Sequence, residues 1–252
     1  MLLKKESIMD KIQTTEVHYQ DSHGQNLIGY LAYPNDSDNK HAAILVFPEW
    51  WGRNAYIEQR ARELAELGYV ALAVDMYGDK KLADDPQTAN QYMMATFEKP
   101  DTIVDRATAA MRCLQSQKGV DATKIAAIGF CYGGKVALDL ARSNADLKVV
   151  ATFHANLSHS TPANQGFRPK VLVSHGEIDT MVTLDDVEKF KQEMQNAGVD
   201  YQVDIYPNAK HGFTNPKADE NAAKYGVDLG YNADAAKQSI AKMHKLMADY
   251  LT

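Results

Sequence analysis

Apolar positions along this chain form two patterns that alternate with each other. Short, largely apolar runs predict buried strands at residues 42–47, 69–74, 124–128, 149–153, 171–174 and 201–206. Apolar residues spaced three or four apart predict helices at residues 55–67, 103–117, 135–142, 184–197 and 233–251. Because strands and helices alternate, we expect an α/β fold with a mostly parallel central sheet and helices on both faces.

The N-terminal part of the chain has a different pattern. Residues 14–19 and 27–33 are strand-like, and a polar, glycine-containing turn separates them, which predicts an antiparallel hairpin. Residues 1–12 are interpreted as a flexible tail. Residues 13–252 are interpreted as one domain, since several α/β folds reach this length around a single core.

Two long polar segments, residues 79–100 and 214–232, do not fit a minimal alternation of strands and helices. Loops of this length in a compact domain are usually functional or poorly ordered. Each follows a strand or a candidate site residue. We expect the first segment to act as a partial lid, with a plain surface excursion as the alternative, and the second is a further lid candidate.

Composition and charge narrow the possible partners. Apolar residues make up 45% of the chain and charged residues 24%, as in ordinary soluble globular proteins. A formal net charge of −6 argues against a nucleic-acid-binding surface. The first residues lack the apolar run that a secretory signal requires, and no run is long enough to span a bilayer. Two cysteines cannot form a disulfide framework. We therefore expect a cytoplasmic monomer or homodimer with neither a nucleic-acid nor a membrane partner.

The most informative stretch follows the strand predicted at residues 124–128. It reads Gly129-Phe130-Cys131-Tyr132-Gly133-Gly134 and leads directly into a predicted helix. A strand, a sharp turn and a helix with a central nucleophile form a nucleophile elbow, in which glycines give the crowded backbone room. The alternative is a tight turn with a small core cysteine, because free cysteines are often buried.

Reactive side chains follow three other predicted strands. In open parallel sheets, ligand sites form beyond the carboxyl ends of the strands, and Glu49, Asp179 and His211 all lie just past such ends. Cys131, Asp179 and His211 occur in the chain order nucleophile, acid, base that α/β-hydrolases use. The sequence thus predicts a Cys-His-Asp triad. The backbone N–H of Tyr132, with a second one on Trp50, would form the oxyanion hole.

Each assignment has a structural alternative. His211 can be an ordinary loop histidine, and Asp179 can be a turn or cap carboxylate with Glu177 replacing it as the acid. Asp185 is interpreted as a helix cap or a first-turn helix residue, because acidic side chains favour helix N-termini. Two further residues are assigned structural roles, namely His175 at a strand end and Cys113 in the core.

Four segments together resemble the dienelactone hydrolase family of α/β-hydrolases. They are Pro48-Glu49-Trp50-Trp51-Gly52, Gly129-Phe130-Cys131-Tyr132-Gly133-Gly134, Gly176-Glu177-Ile178-Asp179 and Tyr206-Pro207-Asn208-Ala209-Lys210-His211-Gly212-Phe213. The resemblance implies the α/β-hydrolase fold, with Cys131 as nucleophile, His211 as base and Asp179 as the orienting acid. It also implies that Glu49 contacts the resting thiol and helps to generate the thiolate. No metal or organic cofactor is expected.

The resemblance implies a hydrolase that cleaves a small ester or lactone through an acyl-enzyme. Trp51, Tyr77, His154 and Phe213 are the expected pocket residues. Family members that cleave dienelactone hold its carboxylate with two arginines, one shortly after the strand predicted here at residues 69–74 and one shortly after the base, His211. In this chain neither residues 75–81 nor residues 212–217 contain arginine. Lysine does not reproduce a bidentate clamp, so the substrate stays open. The alternative function is a non-catalytic ligand-binding or thiol redox-responsive protein on the same fold.

Overall fold

An eight-stranded sheet organises the protein in the computed structural model, which describes residues 11–36, 39–99 and 101–251. Its strands are β1 (Ile12–Gln20), β2 (Asn26–Pro34), β3 (His41–Phe47), β4 (Val70–Ala73), β5 (Val120–Phe130), β6 (Val149–Phe153), β7 (Lys170–Gly176) and β8 (Tyr201–Tyr206). The helices are α1 (Ala55–Glu66), α2 (Pro86–Phe97), α3 (Thr102–Gln115), α4 (Tyr132–Arg142), α5 (Leu184–Ala197), α6 (Ala218–Tyr225) and α7 (Ala233–Leu251).

The strands lie in the order β1-β2-β4-β3-β5-β6-β7-β8. β1 and β2 form an antiparallel hairpin, and β2 pairs antiparallel with β4. All pairs from β4 to β8 are parallel. The predicted α/β-hydrolase architecture with an N-terminal hairpin is therefore confirmed. β1 begins at Ile12, inside the predicted tail, and the rest of that tail, residues 1–10, lies outside the described residues.

The two faces of the sheet bury separate apolar cores. In β3, Ile44 and Val46 belong to the apolar cluster that includes residues of α1 and α7, whereas Leu45 and Phe47 belong to the cluster that includes residues of α3, α4 and α5. Successive side chains of a strand point to opposite faces, so a strand covered on both faces is continuously apolar. This explains why the buried strands were recognisable in the sequence.

The prediction that residues 79–100 and 214–232 are loops is wrong, because each contains a helix, α2 and α6 respectively. α2 starts with Pro86 after Asp85, whose side chain accepts a hydrogen bond from the N–H of Thr88. The helix buries only Ala89 and Thr96, so it has no apolar stripe to reveal it.

The two helical segments meet at one tyrosine. The hydroxyl of Tyr225, at the end of α6, donates a 2.5 Å hydrogen bond to the carbonyl of Asp84, just before α2. Its ring lies 5.7 Å from that of Trp51. The two segments and the loop after β3 are thus in direct contact. Within the described part of the chain, none of the helices combines the length and apolar character needed to cross a membrane.

Candidate active site

Cys131 alone makes the turn between β5 and α4. Its backbone has φ 53° and ψ −117°, a conformation that is strained for a residue with a Cβ. Its N–H donates to the carbonyl of Phe153 on β6 (3.0 Å), and its carbonyl accepts from Gly134 (3.0 Å) and Asn156 (3.3 Å). Bonds to two neighbouring elements therefore fix the strained backbone, and the thiol is partly exposed.

Three glycines around Cys131 are required by close backbone contacts. A Cβ on Gly129 would lie 2.0 Å from the carbonyl oxygen of Gly133, and one on Gly133 would lie 2.3 Å from that of Phe47. A Cβ on Gly134 would lie 2.3 Å from the Cβ of Ala155. These distances are too short for any larger residue, so the glycines let α4 approach the ends of the strands. The segment has the shape of a nucleophile elbow.

Asp179 and His211 meet beyond the ends of β7 and β8. Asp179 Oδ2 lies 2.8 Å from His211 Nδ1, while Oδ1 accepts hydrogen bonds from the N–H groups of Met181 and Val182, both at 2.9 Å. The carboxylate is therefore a turn residue and a partner of His211 at once. Nε2 of His211 makes no hydrogen bond to any described residue, so it is the nitrogen available for proton transfer.

The protonated form of His211 is favoured electrostatically. Burial on its own lowers the pKa of this histidine, which is 4% exposed. The negative charge of Cys131 and the hydrogen bond that His211 Nδ1–H donates to Asp179 outweigh burial and raise the pKa to about 10. A histidine in this setting readily takes up a proton from the thiol and stabilises the thiolate.

Glu49 is a buried carboxyl group in the same region, 4% exposed. Burial raises its pKa to about 7, although a hydrogen bond from Asn215 and the charge of His211 act in the opposite direction. Asn215 Nδ2 lies 2.7 Å from Glu49 Oε2. Glu49 can therefore change its protonation state near neutral pH. Asn215 was not predicted as a site residue, because its partner Glu49 lies 166 residues earlier in the chain.

The two expected oxyanion donors lie on either side of Cys131 in the fold. Trp50 follows β3, and Tyr132 is the first residue of α4, where the helix dipole favours negative charge. Within the described residues, neither backbone N–H donates a hydrogen bond. The Trp50 side chain is half-buried and that of Tyr132 is buried. Both N–H groups are available for an incoming oxygen.

Two expected pocket residues do not form a pocket wall. His154 and Phe213 are fully buried, and their rings lie 5.3 Å apart. His154 packs edge-on against His211 with the ring centres 5.2 Å apart, and its Nε2 lies 2.8 Å from Thr214 Oγ1. Neither side chain is exposed to solvent, so His154 supports the His211 ring from inside the protein and Phe213 packs behind His154.

The other two expected pocket residues are aromatic neighbours of Trp50. Trp51, 7% exposed, lies with its ring 5.1 Å from that of Trp50. Tyr77, 5% exposed, donates a 2.9 Å hydrogen bond to the carbonyl of Trp50 and stacks on Tyr132 at 5.9 Å. Both therefore lie beside the two candidate oxyanion donors.

Glu177, the alternative acid, and the residues assigned structural roles are held by local contacts, although Cys113 is half-buried and not in the core as predicted. Glu177 is exposed and accepts a hydrogen bond from the N–H of Asn208, and Asp185 lies in the first turn of α5. His175 is buried at the end of β7, and Cys113 lies half-buried in α3 beside Gln117. No group of three or more histidine, cysteine or acidic side chains among the described residues is arranged to hold a metal ion.

Residues 27–251 match the sequence profile of the dienelactone hydrolase family. The chain belongs to this family. The resemblance predicted from the four segments is thus confirmed, and the dienelactone hydrolase family places the protein among hydrolases.

Individual relatives agree with the family assignment. A dienelactone hydrolase-like promiscuous phosphotriesterase from metagenomic libraries is 32% identical, with a TM-score of 0.89 and coverage of 96% of this chain and 100% of that one. A dienelactone hydrolase-like structure from Klebsiella pneumoniae is 26% identical, with a TM-score of 0.78 and coverage of 95% and 99%. A Salmonella typhimurium protein named "Putative carboxymethylenebutenolidase" is 28% identical over 241 residues, which are 91% of this chain and 85% of the relative.

Proposed function

We propose that this protein hydrolyses small, uncharged esters and lactones through a covalent intermediate on Cys131. The observation that carries the proposal is the 2.8 Å contact between Asp179 and His211 Nδ1, which leaves Nε2 free of partners among the described residues. β3, β5, β7 and β8 are parallel to one another, so Glu49, Cys131, Asp179 and His211 follow strand ends at one edge of the sheet. This arrangement supports acyl transfer by a nucleophile, a base and an orienting acid.

In the first half of the reaction, His211 Nε2 takes the thiol proton and the Cys131 thiolate attacks the substrate carbonyl carbon. The electron pair of the C=O bond moves to the oxygen, which accepts hydrogen bonds from the N–H groups of Trp50 and Tyr132. When the C=O bond reforms, the C–O bond to the leaving group breaks. The departing alkoxide takes the proton from His211 and leaves a thioester on Cys131. In a lactone, that alcohol stays attached to the acyl chain.

In the second half, His211 Nε2 takes a proton from water, and the resulting hydroxide attacks the thioester carbonyl. The second tetrahedral intermediate collapses with cleavage of the C–S bond. The Cys131 thiolate leaves, the carboxylic acid is released, and the proton on His211 returns to the thiolate. Glu49 acts before acylation: its carboxylate disfavours a nearby thiolate in the resting site, and when substrate arrives it can accept the thiol proton and pass it to His211 Nε2, which delivers it to the leaving group.

The surroundings of the site favour an uncharged substrate. The ammonium group of Lys80, which follows β4, forms an ion pair with Glu16 on β1 at 2.5 Å. After His211, where the resemblance would place an arginine, the buried side chain that meets Glu49 is Asn215, a neutral amide. An anionic substrate would meet the Glu49 carboxylate, and neither segment in which the resemblance places an arginine supplies a guanidinium group to offset it.

A second activity, hydrolysis of neutral phosphotriesters, is favoured by the 32% identity to the promiscuous phosphotriesterase over almost the entire chain. A phosphotriester has no charge that needs a cation, and its P=O oxygen fits the role of the carbonyl oxygen. The Cys131 thiolate would form an S–P bond while the P–O bond to the leaving group breaks. Water would then cleave the S–P bond.

An assay of purified protein tests both activities. The substrates are p-nitrophenyl acetate, a panel of small lactones and a p-nitrophenyl dialkyl phosphate, and wild type is compared with Cys131→Ala and His211→Ala. We expect turnover by wild type that both variants lose. Cys113→Ala is the matched control, because that thiol lies half-buried in α3. Equal rates in wild type and Cys131→Ala would favour the non-catalytic or redox-responsive alternative.

A further inference from the structure

One side chain contacts both residues that supply the candidate oxyanion donors. The Tyr77 hydroxyl donates a 2.9 Å hydrogen bond to the carbonyl of Trp50, and the Tyr77 ring stacks on that of Tyr132 with centroids 5.9 Å apart and planes 25° apart. Tyr77 is 5% exposed, and burial raises its pKa, so its hydroxyl stays protonated and remains a donor. Nothing in the chemistry of the triad accounts for this double contact.

The backbone that carries Tyr77 is fixed by the carboxylate of Asp75. Oδ1 of Asp75 accepts hydrogen bonds from the N–H groups of Tyr77 (3.0 Å) and Gly78 (2.9 Å), and Oδ2 accepts from Ile28 (3.1 Å) and Lys80 (2.8 Å). Four donors on one buried carboxylate leave the loop after β4 little freedom. Tyr77 is therefore a rigid element against which other groups can be positioned.

The peptide that carries the Trp50 N–H is fixed from both sides. The Trp50 N–H belongs to the peptide unit between Glu49 and Trp50, and the Glu49 carbonyl of that unit accepts a 3.1 Å hydrogen bond from the N–H of Gly52. The carbonyl of Trp50, in the following peptide unit, accepts the hydrogen bond from Tyr77. In a trans peptide the C=O and N–H bonds point in opposite directions, so fixing the Glu49 carbonyl also sets the direction of the Trp50 N–H. The Tyr77 bond prevents rotation of the Trp50 backbone on the other side.

We propose that Tyr77 is a positioning residue of the oxyanion hole, which orients the Trp50 N–H through its hydroxyl and the start of α4 through its ring. This inference rests on the proposed function. The Tyr77 hydroxyl donates its hydrogen bond to the Trp50 carbonyl and not to the Cys131 sulfur, so its loss should reduce stabilisation of the tetrahedral oxyanion while the nucleophile keeps its reactivity.

Tyr77→Phe tests the proposal, because it removes only the hydroxyl and retains the stacked ring. We expect about a tenfold lower acylation rate at saturating p-nitrophenyl acetate with little change in KM, which is less than the roughly 10²- to 10³-fold cost of deleting an oxyanion donor outright. Tyr92→Phe is the matched control, since that ring lies 5.5 Å from Tyr77 and its hydroxyl has no hydrogen-bond partner among the described residues. We expect it to stay within about twofold of wild type, as is usual when no contact is lost.

Two inhibitors separate positioning from a general structural role. A trifluoromethyl ketone adds the Cys131 sulfur to its carbonyl carbon and places an oxyanion in the hole, so its inhibition constant should rise about tenfold in Tyr77→Phe, in line with the lost transition-state stabilisation. Iodoacetamide alkylates Cys131 without forming an oxyanion, so its rate should not change. Two outcomes would overturn this inference and leave the proposed function intact. Tyr77→Phe would keep the acylation rate and ketone affinity of wild type, or its alkylation rate would fall as much as its acylation rate. If wild type shows no Cys131-dependent turnover, the proposed function fails and this inference fails with it.

Discussion

Asn215 donates a 2.7 Å hydrogen bond to Glu49 and thereby connects the candidate thiol-activating carboxyl group to the loop that carries His211. Asn215 is itself held in place by two further hydrogen bonds. Its backbone N–H donates to the carbonyl of Gly212, and its side-chain Oδ1 accepts from the backbone N–H of Lys217, both at 2.9 Å. Glu49 is thus held through one oxygen by a rigid neutral donor. Its other oxygen makes no hydrogen bond to the described residues.

Replacing Asn215 with alanine should shift the pH dependence of acylation. The amide stabilises the ionised carboxylate, and a hydrogen bond to a charged group contributes about 1.5–3 kcal/mol, so its loss raises the pKa of Glu49 further above about 7. A protonated Glu49 cannot accept the thiol proton. We expect the acidic limb of the burst rate with p-nitrophenyl acetate to move up by about one pH unit.

Asn196→Ala is the control for this shift, because Asn196 is an exposed asparagine in α5 that contacts only Gln192. Its pH profile should coincide with that of wild type. If Asn215→Ala lowers the burst rate equally at all pH values, the side chain does not act through the protonation of Glu49.

Glu49→Gln should change how stability depends on pH. Burial raises the pKa of Glu49 from 4.5 to about 7, so between these values the folded protein binds more protons than the unfolded chain. Stability of wild type is therefore lost as pH rises through that window. Glutamine cannot ionise, so the variant should gain about 1–3 kcal/mol relative to wild type between pH 4.5 and pH 7.

Urea unfolding across this pH range measures the difference in free energy of unfolding between wild type and Glu49→Gln. Both proteins contain His211, so the titration of that histidine contributes to both. A stability difference that does not change with pH would show that Glu49 has the same pKa in the folded protein as in the unfolded chain. The raised pKa would then be absent.

Much of the fold and the site was predictable because local sequence patterns indicate where strands end and which residues are buried. β3 reads as continuously apolar because both of its faces are covered, and Cys131 is recognisable because only glycines tolerate the contacts around it. Parallel strands then bring Asp179 and His211 to the same edge. Their positions just past two strand ends sufficed to predict the contact between Asp179 and His211.

Other features depend on partners that are distant in the sequence. Asn215 gains its role only from Glu49, 166 residues earlier, and nothing in its own neighbourhood indicates this. His154 resembles a pocket residue because it ends β6, yet the approach of Thr214 and His211 covers it completely. α2 was missed because a helix that buries only two side chains has the polarity of a loop.

Gly133→Ala should destabilise the protein strongly. The added Cβ would lie 2.3 Å from the Phe47 carbonyl oxygen and 2.5 Å from that of Pro48, both backbone atoms that cannot move without displacing β3. We expect a loss of about 3 kcal/mol, the upper end of the range for overpacking, measured by urea unfolding. Gly230→Ala is the control, because its Cβ would first meet the flexible side chain of Lys210 at 3.2 Å. Equal stability of both variants would contradict the packing argument.

Tyr225→Phe tests whether the segments containing α2 and α6 act as a lid. The substitution removes the 2.5 Å hydrogen bond to the Asp84 carbonyl and keeps the ring that contacts Trp51. If closure of these segments retains substrate, KM should rise about threefold to fivefold, as expected for one hydrogen bond of about 1 kcal/mol, while kcat stays within twofold. Tyr231→Phe, an exposed tyrosine in the same segment, should leave KM unchanged. A fall in kcat at constant KM would assign Tyr225 to the chemical step, and unchanged constants would exclude a lid held by this contact.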